Sequence, residues 1–192
     1  MGVTYDVCNA EVRARIDAAM KQYHPRLKEA GVTIDALFAE KIDKKTGELE
    51  RALLIRGQIV IAKISITPLP DRVRRIADVR LIIDRKCWTE LSETRQMAVL
   101  DHELEHLELV PEMRDGSHPV APDGTTRLDD AGRPKLKLRH HDWELTGFRA
   151  VVERHAEASA EAAQFRGFQD QFGQLCLFGS VAGKSVADVV GA

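Results

Sequence analysis

The sequence predicts an α+β domain, on three observations. A short amphipathic helical segment opens the chain, a group of β-like runs follows it, and two long helical segments occupy the second half. Strands gathered together and helices gathered apart, without strict alternation, is the order of an α+β fold. A length of 192 residues leaves room for one domain. The expected division is a single domain over residues 1–165 and a C-terminal tail over 166–192.

Taken in order, Val12, Ile16, Met20 and Tyr23 recur at helical spacing within 11–23, and Pro25 ends or kinks that helix. The β-like runs are Thr33–Glu40, Arg51–Arg56, Gln58–Thr67 and Asp78–Asp84. Turn signals at Lys44–Gly47 and at Gly57 separate them and predict a small antiparallel meander. Residues 89–110 form the strongest helical pattern, with Thr89 or Ser92 as N-cap, Glu93 in the first turn and Pro111 as its stop. The stretch 111–139 is too long for a plain connection, and Lys135-Leu136-Lys137-Leu138 after Asp129–Gly132 predicts a hairpin within it. A second long helix is expected from His141 to about residue 165, and 167–192 has only weak periodicity.

Composition narrows the function. Twenty-eight Lys and Arg against thirty Asp and Glu give a formal charge of -2, which argues against nucleic-acid binding through bulk charge. The basic stretch Arg72, Arg74, Arg75 and Arg80 is interleaved with Asp71, Asp78 and Asp84 and reads as a solvated loop. No apolar run is long enough to span a bilayer, and the first residues lack the apolar core of a secretory signal. Cys8, Cys87 and Cys176 are odd in number and widely spaced, which fits a reducing, cytoplasmic setting.

The residues that carry chemistry are His102-Glu103-Leu104-Glu105-His106, an H-E-x-x-H motif within the strongest helix. Two imidazoles four residues apart lie one turn apart on one face, the reach needed to grip one metal ion. Glu103 lies about 100° round from His102, so its carboxylate can lean over a water on that metal and take its proton. Random order would produce the five letters in roughly two of a hundred such chains, so the context must support them. On the helical wheel Val99, His102, Glu103, His106 and Val110 share one arc, beside an apolar arc of Met97, Leu100, Leu104 and Leu107. Asp101, Glu105 and Glu108 fall on the remaining arc and are expected to face away into solvent.

A catalytic zinc takes three protein ligands and keeps one position open. The extended motif that would supply the third is absent, because Leu109 and Glu112 stand where it needs Gly and His. His141 and Glu144 open the second long helix and are the two alternatives, with Asp142 a partner that could orient a ligating His141. His24 and His118, each beside a proline, read as surface residues, and His155 reads equally as a core or a functional histidine. Neither Tyr5 nor Tyr23 is placed as an oxyanion donor.

The run Cys87-Trp88, Leu91, Arg95-Gln96, Leu100-Asp101-His102-Glu103-Leu104 and His106-Leu107 resembles the putative phage metallopeptidase family. So do Gly132-Arg133-Pro134 with Leu136–Arg139, the pair His141-Asp142, the later Glu153-Arg154-His155, and the early His24-Pro25 through Val32. The resemblance covers roughly residues 10–157 and favours His141, through its His-Asp pair, as third ligand. It implies a zincin-like fold, with a small antiparallel sheet packed on the motif helix and on a second, ligand-bearing helix. The function expected is zinc-dependent peptide hydrolysis, with His102, His106 and His141 on the metal and Glu103 as general base. A substrate strand would add to the sheet edge at Gln58–Thr67. The competing expectation is a zinc-stabilised interaction module of phage origin without turnover, in which Glu103 would have no chemical task. Partners are expected to be peptide or protein substrates, with neither nucleic acid nor membrane.

Overall fold

A computed structural model describes residues 2–55, 57–114, 118–119, 126–141, 147–160 and 162. The chain enters as β1 (Thr4–Val7), a short exposed strand whose four residues give no alternating signal. Helix α1 (Ala10–Tyr23) follows, begun by Asn9, whose side chain accepts from the Val12 amide. It buries Val12, Ile16, Ala19 and Met20, the face its spacing predicted. Helix α1 ends ahead of Pro25, as expected, with His24 non-helical between them, and Pro25 then opens α2 (Pro25–Glu29), where a missing amide hydrogen costs nothing.

Strand β2 (Ile34–Ile42) turns through Gly47, at φ +72°, into β3 (Leu49–Glu50). Next, β4 (Leu54–Ile55) and β5 (Gln58–Ile59) make a separate small hairpin on Gly57. Strand β6 (Ala62–Ile66), helix α3 (Leu69–Val73) and strand β7 (Val79–Asp84) complete the first half. The main sheet runs β1-β2-β7-β6, with β3 paired to the end of β2. It is mixed and not the predicted antiparallel meander, because β7 lies parallel to β2 and antiparallel to β6. The reason is burial. Val79, Leu81 and Ile83 are each 0% exposed, and each such side chain contributes about 1.5–3 kcal/mol when fully covered. The most apolar strand therefore takes the centre, and the shorter hairpin is left off the sheet.

Two charged clusters close the ends of β7. Asp84 accepts from the amides of Ala52, Leu53 and Cys87, capping helix α4 (Arg85–Thr89). Asp78, 1% exposed, accepts from Thr33 and from Arg72 and Arg133. Arg72 is itself buried and also meets Asp129, so it is an internal tie and not part of a solvated loop. Burial pushes the Asp78 carboxyl up, but the bonds from Arg133 and Thr33 outweigh it and hold it down at about 2. A carboxyl lowered on folding stabilises above its unfolded value and loses that contribution as pH falls through its folded one. Between pH about 4 and about 2 the protein should lose about 2 kcal/mol that Asp78→Asn does not lose. Denaturant midpoints measured across that window check this, and parallel curves for the two proteins would reject it.

The second half holds α5 (Glu93–Glu105), capped by Ser92, then β8 (Leu107–Leu109), β9 (Met113–Arg114), β10 (His118–Pro119), β11 (Leu136–Leu138) and α6 (Arg149–His155). The segment predicted as one helix over 89–110 is thus a helix from Glu93, after its expected cap Ser92, followed by a strand. It leaves the helix after Glu105 because β8 pairs antiparallel with β11, in the register Leu107↔Leu138 and Leu109↔Leu136. Strand β9 pairs with β10, and a tighter turn at Asp129–Gly132 lies beneath the Leu128↔Pro134 bridge. Helix α5 packs on α1, α6 and the edge strand β6. Leu100 and Leu104 enter the common core with Phe38, Ile64 and Trp88. Among the described residues no helix is long and apolar enough to cross a membrane.

Candidate metal centre

His102 lies in the last turn of α5 and His106 is its C-cap, still at helical angles, so the one-turn spacing of the motif is kept. Their rings meet edge to face with centroids 5.2 Å apart. His141 approaches from the segment after β11, and its Nε2 lies 3.2 Å from Nε2 of His102. One ring nitrogen from each of the three histidines falls within 4.8 Å of the others. Ligands on a tetrahedral zinc, at 2.0–2.1 Å from the ion, stand about 3.4 Å apart. The spacing and the donor chemistry therefore fit a metal ion.

His141 is itself non-helical, and among the described residues the next helix, α6, begins at Arg149. The alternative ligand Glu144 and the proposed partner Asp142 lie outside the described residues, as does the C-terminal part of the predicted helix.

Phe148, fully buried, makes ring contacts with His102, His106 and His141 at centroid distances of 5.3, 4.7 and 5.1 Å. It forms an apolar wall behind the three imidazoles. Burial pushes His106 down to about 4, against the Arg139 carbonyl, which favours the proton. The ring is therefore neutral near pH 7, the form that ligates. Glu103 is 7% exposed and sits one residue from His102, on the arc the helical wheel gave it.

The opposite face of α5 departs from expectation. Asp101 and Glu105 do not face solvent: Asp101 is 0% exposed and Glu105 is partly covered. Asp101 meets Nε2 of His24 at 2.7 Å, Nε2 of His155 at 2.9 Å and Nε of Arg154 at 2.8 Å. His24 is consequently an interior residue, not a surface one, and His155 is held in the same cluster against the ring of Tyr23. The wheel missed this because the covering charges come from α6 and the end of α1, remote in sequence. The available signal was that His24 and Arg154-His155 recur among the segments carrying the family resemblance.

A trihistidine cluster on an H-E-x-x-H segment of a mixed α+β domain defines a candidate metalloenzyme centre. The chain belongs to the putative phage metallopeptidase family, whose model matches residues 5–169. No curated protein and no solved structure matches it. Membership implies a metal ion and a peptide or protein substrate.

Proposed function

We propose that this protein is a zinc-dependent peptidase of zincin-like fold, in which His102, His106 and His141 hold the ion and Glu103 is the general base. The observation that carries the reading is the convergence of three imidazole nitrogens within 4.8 Å, two of them from the motif that also supplies Glu103. Zinc, when bound, supplies a Lewis acid that acidifies water and polarises a carbonyl. The rest is done by this chain. The Glu103 carboxylate takes the proton of the attacking water and passes it to the leaving amine, a role for which its place beside His102 suits it. Phe148 keeps water from the back of the imidazoles.

Strand β6 pairs with β7 alone among the described strands and packs against α5, which supports it as the edge to which a substrate strand adds. The expected edge at Gln58–Thr67 is thereby narrowed to Ala62–Ile66. Cys8 and Cys87 are free and buried, which supports a reducing, cytoplasmic setting.

The test compares wild type with Glu103→Gln on a peptide library, with metal content measured in both. The variant should keep its zinc and lose about 10²–10⁴-fold in rate. An undiminished rate rejects the general-base role. A zinc-loaded wild type inert towards every peptide would favour the interaction module instead.

A further inference from the structure

The β8–β11 ladder continues one step beyond its last strand pair. The Arg139 amide donates to the His106 carbonyl at 2.7 Å, and Nδ1 of the His106 ring lies 2.8 Å from the Arg139 carbonyl. A carbonyl can only accept, so Nδ1 carries the hydrogen and Nε2 keeps the lone pair. The Arg139 side chain is tied in turn. Its Nη1 donates to Oε1 of Glu105 at 2.6 Å, and its guanidinium lies 5.0 Å over the Phe148 ring. The other oxygen of Glu105 accepts from Nη2 of Arg154 at 2.6 Å, and Nε of Arg154 reaches Asp101. Glu105 thus joins the end of β11 to α5 and α6 at the residue next to His106.

His24, Asp101 and Glu105 also bring ligand-type atoms within 4.8 Å of one another, a spacing that would suit a second cation. Arg139 and Arg154 already neutralise the two carboxylates. The cluster is built as a brace, with its positive charge supplied by the chain.

We propose that Glu105 is a positioning residue for the metal centre: by anchoring Arg139 it fixes the carbonyl that sets the tautomer and plane of the His106 ring. The same anchor sets the start of the segment that carries His141, two residues on. This rests on the reading of the three histidines as zinc ligands. Partners that hold a ligating imidazole in this way typically account for 10–100-fold in metal affinity.

Zinc affinity is to be measured on the full chain by competition with a chromophoric chelator, and imidazole tautomers by ¹⁵N NMR on the metal-free protein. Glu105→Gln should bind zinc about tenfold more weakly and show His106 as mixed tautomers, where wild type shows the Nδ1–H form. Arg139→Gln should do the same, and the double variant should be little weaker than either, because both act through one contact. Glu108→Gln removes the neighbouring exposed pair with Lys137 and should stay within about twofold. Wild-type affinity together with a single Nδ1–H signal in Glu105→Gln overturns the proposal. If that variant does not fold, a folded Arg139→Gln with wild-type affinity overturns it equally. A wild type that binds no zinc removes the ligand assignment and this proposal together, whereas tight wild-type binding unchanged in the variants removes this proposal alone.

Discussion

The double substitution His102→Ala, His106→Ala should leave the protein without bound zinc and without hydrolysis, the largest functional loss expected of any change in the chain. Each histidine supplies one of three nitrogens that converge within 4.8 Å, so the pair removes most of the coordination sphere. A metal that binds only the folded state stabilises it by mass action, about 4 kcal/mol at 1,000 times Kd. Stripping zinc from wild type with a chelator should therefore lower Tm by roughly 10 °C. The double variant, with nothing to lose, should melt at the same temperature with and without chelator. His141→Ala should weaken binding by orders of magnitude, whereas Glu144→Ala should change it little. Elemental analysis and calorimetry read all of these, and full zinc occupancy in the double variant would show that the ion sits elsewhere.

Asp101→Ala should be the most destabilising single substitution away from the hydrophobic core. Its carboxylate is wholly buried and is the shared partner of His24, His155 and Arg154. Removing one member of a buried charged set leaves the others without compensation, at a cost of about 3–5 kcal/mol. A domain of this size has about 5–15 kcal/mol in total. Urea denaturation of the metal-free protein isolates this effect from zinc binding. A loss below about 1 kcal/mol would mean that water replaces the carboxylate and that the cluster is not a brace.

The parts of the molecule written in local pattern were legible in the sequence. Helix α1 at Ala10–Tyr23, strand β7 at Val79–Asp84 and the motif pair His102 and His106 follow from spacing alone. His141 is one of two alternatives that the residues offer, with the family resemblance favouring it over Glu144, and the structure brings it to the motif pair. The β8–β11 pairing, whose two strands lie far apart in the chain, leads into it. What pattern could not give was partnership across the chain. The parallel β2–β7 pairing, the end of α5 at Glu105 and the burial of Asp101 each depend on a segment dozens of residues away. Asp101 shows the limit well: on a helical wheel a carboxylate next to Glu105 reads as solvated, and only the arrival of Arg154 and two imidazoles makes its burial affordable.

The parallel pairing at the centre of the sheet also bears on how the chain acquires its shape. Ile34 lies beside Val79, and the intervening residues include the β4–β5 hairpin, β6 and α3, none of which draws β2 and β7 together by a tight turn. Closing so long a loop costs chain entropy before any contact rewards it, and topologies rich in such distant contacts fold slowly. The β6–β7 ladder, with α3 between its strands, closes over a shorter span and can form first, leaving β2 to dock along the exposed side of β7. Until it does, one of the most apolar strands in the protein presents an open edge to its surroundings. Assembly of the central sheet is then the expected slow step of folding, and His102, His106 and His141, carried on segments that follow β7, are ordered on a foundation that must be laid before them.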